Sequence, residues 1–207
     1  MSELASSMLR QIVAVRWKPS RDLAVVAASW LLVVGALYTA TVFVGSDVWG
    51  GMGYFILYAV VGATLFGVGI PLFWMVVVRR RSLADLGLTT RHWAISIVLQ
   101  LVFAALQYIG TLAKTGLPSF EQFLPLFALA LAIGFFEAVF WRGWVLLRLE
   151  DAFGIIPSIL LGSLLYAAYH IGYGMPTNEM IFLFFIGLMF AVIFRLTKNI
   201  LILWPIF

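Results

Sequence analysis

The chain has 207 residues, of which 64% are hydrophobic and 16% aromatic against only 11% charged, with a net charge of +4 and no cysteine. A soluble domain carries about a quarter charged residues and about half apolar ones, so this balance excludes an ordinary soluble domain and belongs to a polytopic membrane protein. The missing cysteines exclude disulfides, thiol nucleophiles and thiolate metal sites.

Residues 1–21 carry Arg10, Arg16, Lys18 and Arg21, with Leu4, Met8 and Ile12 at spacings of four and Trp17 near the end. This pattern predicts a short amphipathic helix on an anionic membrane surface, stopped by Pro19. The apolar run that follows is too long for a signal peptide, and no small-residue cleavage site follows it. A first span is expected over about 23–44, a turn at Asp47, Gly50 and Gly51, and a second span over about 52–78. Gly67, Gly69 and Pro71 predict a kink in that second span, serving either packing or a gating hinge.

Arg79, Arg80 and Arg81 close the second span, and residues 82–91 form a polar loop that leads to a third span over about 93–112. Gln100 and Gln107 lie seven apart on one face of it, suited to bridging helices or to lining a substrate path. After a turn at 114–118, the fourth span runs over about 122–147 and ends in a charged, solvated loop at Arg148, Leu149, Glu150 and Asp151. A fifth span over about 155–172 holds Ser163, Tyr166 and His170. Gly172, Gly174, Pro176 and Asn178 then break the helix before a sixth span over about 180–194.

Residues 200–207 begin a further apolar run, too short to cross a bilayer as helix. It reads as the cut end of a longer product or as a re-entrant or interfacial end. The fold expected is therefore all-α: a single transmembrane domain over 1–207, with about six full spans, a partial C-terminal segment and an N-terminal interfacial helix. The runs lack the two-residue alternation of membrane β-strands.

Lys and Arg cluster before the first span, between the second and third, after the fourth and after the sixth, whereas the opposite loops hold only Lys114. The positive-inside rule then places the N-terminus in the cytoplasm of a cell inner or plasma membrane protein. The positive charge is topological, and no nucleic-acid partner is read from it.

Within the apolar runs the ionisable residues are Glu137, Arg142 and His170. A charge at bilayer depth costs roughly 2.5–3.5 kcal/mol on insertion scales, so it persists when paired, wetted or useful. Glu137 lies 11 residues before Arg148, roughly 16 Å along a helix. Antiparallel neighbours then allow Glu137 and His170 to face each other, a carboxylate and an imidazole suited to activating water. Tyr166, four residues before His170, shares its face and can orient it or donate to an oxyanion. On an ideal α-helix Glu137 and Arg142 are about 140° apart, so Arg142 is expected to need another partner. His92, beside Arg91 and Trp93, reads as a solvated interface residue. The sequence holds no HExxH, Walker A, GxGxxG or GxSxG pattern.

At these residues the chain resembles the CPBP family of intramembrane proteases, the CAAX-processing and bacteriocin-processing (Abi) group. Glu137-Ala138-Val139-Phe140-Trp141-Arg142-Gly143 is similar to the family's first motif, Glu-Glu-x-x-x-Arg-Gly, with Ala138 at the second Glu. Tyr166-Ala167-Ala168-Tyr169-His170 is similar to its second, Phe-x-x-x-His. Gly187 and the run from Arg195 to Pro205 look like its glycine helix and the approach to a third motif, a His with an Asn four residues on, which would fall beyond Pro205. The resemblance covers about residues 125 to 207, within a protease-core region at 122–207.

The resemblance implies a hydrolase, a protease whose water is activated by Glu137 and His170, with Arg142 and Tyr166 beside them. Its substrate would be a lipidated (CAAX-like) or hydrophobic peptide. It also implies a possible zinc, for which Glu137 and His170 are the candidate ligands of a metalloprotease. The alternative is a catalytically degenerate member serving as a structural or assembly subunit of a larger membrane complex, and a transporter is a weaker third reading. The partners expected are the lipid bilayer with a peptide or prenylated protein, or that larger complex.

Overall fold

The computed structural model describes residues 12–44, 50–115 and 131–205, together with Ser119 and Phe127. Every regular element among them is helical, and no strand occurs. Helix α1 spans Arg21–Thr39, α2 Gly53–Val78, α3 Trp93–Thr115, α4 residues 131–153, α5 Ile155–Tyr169 and α6 Thr177–Thr197. Short 3-10 turns lie at Leu83–Leu86, His170–Tyr173 and Ile200–Ile202.

Among the described residues, four helices are long and apolar enough to cross a membrane: Arg21–Phe43, Gly53–Val78, Ile155–Tyr173 and Thr177–Thr197. They correspond to the first, second, fifth and sixth of the expected spans, and the protein is an integral membrane protein.

Helix α4 is the inner helix. Every residue from Ala138 to Leu146 is buried. One side, with Phe136, Phe140, Trp141, Trp144 and Val145, joins a cluster with Val33 and Leu37 of α1, Tyr58 and Met75 of α2, and Tyr166 and Tyr169 of α5. The other side, with Ala138, Val139, Leu146 and Leu147, meets Phe194 of α6 and the Ile200–Ile202 turn. The charges on α4 therefore sit inside protein, where side chains rather than lipid surround them.

In lipid, apolar contact alone does not drive helices together, so close packing and interhelical hydrogen bonds carry the association. Trp144 Nε1 of α4 donates to Ser29 Oγ of α1 at 3.1 Å, and Ser29 Oγ donates to the Val26 carbonyl at 3.0 Å. Trp30 Nε1 of α1 donates to the Leu165 carbonyl of α5 at 3.1 Å. Asp22, at the start of α1, receives Trp74 Nε1 at 2.8 Å and pairs with Arg79 Nε at 3.1 Å, tying it to the end of α2. Measured bonds of this interhelical kind average about 0.6 kcal/mol each, so the set locks a geometry more than it supplies bulk stability.

Two glycines set close approaches. A Cβ at Gly143 would overlap the Leu86 carbonyl oxygen, so the absent side chain lets the Leu83–Leu86 turn press on α4 one residue beyond Arg142. A Cβ at Gly67 would overlap the Phe136 ring. The glycine in the second span is thus a seat for an α4 aromatic ring, the packing reading rather than the hinge.

Several local expectations change. Arg148 to Asp151 are not a solvated loop: α4 continues to Phe153 and ends at Gly154, whose φ of +91° breaks the helix. Arg148 is buried, with Nη2 donating to the Asp85 carbonyl at 3.3 Å. Glu150 pairs with Arg195 of α6 and, at 3.1 Å, with Lys198. Of the stretch expected as an N-terminal helix, the described residues 12–13 are helical and 14–20 are not. This stretch is bound through its backbone, since the Arg16 and Lys18 N–H groups donate to the Phe153 and Ala152 carbonyls, each at 3.0 Å.

His92 is exposed and receives Arg91 Nε at 3.0 Å, as a boundary residue should. Gln100 is buried, and its Nε2 has no hydrogen-bond partner. The expected turn at Asp47, residues 1–11, the start of the fourth span, the turn at 116–118 and the side chains of Gln107 and Lys114 lie outside the described residues.

Candidate active site

The site is built on the winding of α4. From Ala138 to Leu146 the helix is π-helical, its turns closed by i→i+5 bonds. Residues five apart then stack on one face, which overturns the expectation from an ideal α-helix that Glu137 and Arg142 diverge. Both line one cavity of about 10 Å³, together with Ala138, Phe190 of α6 and Leu203. No ion pair closes between them among the described residues.

Arg142 is 2% exposed. Its guanidinium carbon lies 5.1 Å from the Tyr166 ring centre and 5.7 Å from that of Phe190, an aromatic clamp that holds the cation by its faces. Its Nη1 has no hydrogen-bond partner. The partner that the sequence left open for Arg142 is therefore a pair of rings from α5 and α6. Glu137 is half-buried, and its carboxyl and the Tyr166 side chain are near enough to interact.

His170 follows the last turn of α5 and is buried among Tyr166, Tyr169 and Tyr173, with ring centres at 5.1, 4.5 and 5.5 Å. Its Nδ1 lies 2.9 Å from the Tyr166 carbonyl oxygen. A carbonyl only accepts, so Nδ1 carries the proton and Nε2 keeps the free lone pair. Tyr166 thus touches all three charged or titratable residues. Its side chain meets Glu137 and Arg142, and its carbonyl orients His170. No hydrogen bond or ion pair joins Glu137 directly to His170 among the described residues. Gly187 of α6 makes room for Tyr166, since a Cβ there would lie 3.1 Å from the ring's Cδ1.

Residues the sequence reading passed over complete the surroundings. Tyr173 donates its hydroxyl to Tyr58 of α2 at 2.5 Å and accepts from the Tyr169 hydroxyl at 2.7 Å, so the His170 turn is bound to α2. The spacing of Tyr166, Tyr169 and Tyr173 around His170 was the available signal, a stripe on one helical face; Tyr58 and Phe190 had none. Beyond the clamp lies an apolar groove of about 1080 Å³, lined by Phe103 and Leu106 of α3, by Phe182, Ile186 and Phe190 of α6, and by Tyr166.

A catalytic zinc takes three protein ligands. No group of three His, Cys, Asp or Glu side chains close enough to hold a metal occurs among the described residues. Glu137 and His170 would supply two of those ligands.

Residues 118–206 match the family model for Rce1-like proteins, type II CAAX prenyl endopeptidases. The match takes in Glu137, Arg142, Tyr166 and His170 and leaves residues 1–117 outside. No curated protein and no solved structure matches the chain. The segment that carries Glu137, Arg142, Tyr166 and His170 is therefore similar to the CPBP, or CAAX-protease, family.

Proposed function

We propose that this protein is an intramembrane endopeptidase that hydrolyses a peptide bond in a prenylated or otherwise hydrophobic peptide, with water activated by Glu137 and His170. The observation that carries this reading is the position of Tyr166. It forms part of the wall of the apolar groove, faces the Glu137 carboxyl and fixes the His170 tautomer. A hydrocarbon chain lying in the groove would bring its attached peptide to those two residues.

The chemistry follows from the groups present. Water sits between the Glu137 carboxylate and His170 Nε2, both of which accept its protons. As its oxygen bonds to the scissile carbonyl carbon, one proton passes to Glu137. The carbonyl π-bond electrons move to oxygen, where the Tyr166 hydroxyl is a donor. Collapse of this tetrahedral species breaks the C–N bond, and Glu137 returns its proton to the leaving nitrogen. In the bilayer the N-terminus and the Arg79–Arg81 loop face the cytoplasm, in keeping with the clustering of Lys and Arg.

The test is cleavage of a farnesylated peptide by the purified protein in liposomes. Wild type should release the C-terminal fragment, and Glu137→Gln and His170→Ala should not. If wild type and Glu137→Gln are equally inactive across prenylated and unmodified hydrophobic peptides, the reading fails.

A further inference from the structure

The half-buried Glu137 and the buried Arg142 line the same cavity without closing an ion pair, and Arg142 Nη1 has no hydrogen-bond partner. An unpaired N–H of a buried cation is costly, and such groups are satisfied by ordered water when a direct partner is missing. The cavity volume, about 10 Å³, is about what one water needs. Chemistry also selects water over an anion or a cation. The guanidinium supplies a donor and Glu137 an acceptor, and only a neutral group that both accepts and donates satisfies the two at once.

We propose that this cavity is a binding site for a single water, which accepts from Arg142 Nη1 and donates to one oxygen of Glu137. Arg142 is then a positioning residue, acting on Glu137 through that water. The carboxylate has about four acceptor sites. The cavity water takes one of them and leaves the others for the attacking water. Ala138 lines the same cavity. The two aromatic rings on Arg142 hold the guanidinium by its faces and leave its N–H edges for hydrogen bonding.

The existence of the water does not depend on the protease reading; its effect on rate does. A density map that resolves ordered waters in the wild-type protein decides the first point. A peak within hydrogen-bond distance of both Glu137 and Arg142 Nη1 is expected. An empty cavity, or a guanidinium bonded directly to the carboxylate, overturns the proposal.

Ala138→Val adds two methyl groups at a residue that lines the cavity and changes no charge. It should remove that peak and lower kcat at least about tenfold with KM within about twofold. Unchanged kcat in a variant that has lost the water overturns the positioning role, whereas failure of the protease reading shows separately as inactive wild type. Should Ala138→Val not fold, Arg142→Lys provides the second measurement, because its shorter, compact ammonium cannot reach the same water from within the ring clamp. The same kcat loss at constant KM is expected, and wild-type kcat in Arg142→Lys counts against the proposal.

Discussion

The carbonyl oxygen of Tyr166 lies 2.9 Å from Nδ1 of His170 and decides which imidazole nitrogen is left for chemistry. A ring held this way presents Nε2 with its lone pair free, the form needed to accept a hydrogen bond from water. Because the acceptor is main chain, no substitution at Tyr166 removes it.

Removing the imidazole should therefore separate from removing the tyrosine ring. His170→Ala should lower kcat by about 10² to 10⁴, the usual range for a positioned acid or base. Tyr166→Phe keeps the carbonyl and the ring stacked on Arg142, so the tautomer and the clamp persist and the loss should be smaller. Steady-state cleavage of a prenylated peptide by the two variants checks the order.

Gly143 and Gly35 form a matched pair for stability. Gly143→Ala drives a methyl group into the Leu86 carbonyl, whereas a Cβ at Gly35 meets nothing within 4 Å. The first should cost about 1–3 kcal/mol, as overpacking does. The second should be neutral or stabilise by up to about 1 kcal/mol through helix propensity. Thermal unfolding in detergent gives both, and equal melting temperatures would contradict the packing of the Leu83–Leu86 turn on α4.

Asn199 is fully buried, and its Nδ2 donates to the Thr89 and Arg91 carbonyls, each at 2.8 Å, while Oδ1 accepts from the Leu201 N–H at 2.9 Å. Asn199→Ala leaves these main-chain groups without their partner and should cost about 2–4 kcal/mol. Asn199→Asp, close in shape, should cost more, because it turns an oxygen towards two carbonyl oxygens. Ranking the three proteins by apparent melting temperature tests the direction of those bonds.

Glu150 joins the end of α4 to Arg195 and Lys198. Its side chain is only 16% exposed, so the attraction is less screened than at a free surface. Glu150→Ala leaves two cations facing each other and should cost about 1–3 kcal/mol, more than Lys198→Ala, whose partner keeps Arg195. Raising salt should narrow the gap between wild type and Glu150→Ala.

The helical class and four of the expected spans were legible because bilayer thickness imposes a run length that composition cannot hide. The inner place of α4 was not. A helix surrounded by Trp, Phe and Leu has the same residue types as one surrounded by lipid, and only the Gly143 and Gly67 approaches reveal the difference. Glu137, Arg142, Tyr166 and His170 were visible as rare polar residues in apolar runs. The relation between Glu137 and Arg142 was not visible, because an α-helical wheel assumes a winding that α4 does not have. The ring clamp needed Phe190, a residue with nothing in its sequence context to set it apart from the other phenylalanines of α6.

Because α4 meets protein on all sides from Ala138 to Leu146, its residence in the membrane is not set by its own hydropathy. Glu137 and Arg142 would be a poor cargo for a helix entering lipid alone, and the rings and cavity that shelter them come from α5 and α6, which are made later. The residues that form the site are thus the same ones that make α4 depend on its neighbours for a place in the membrane.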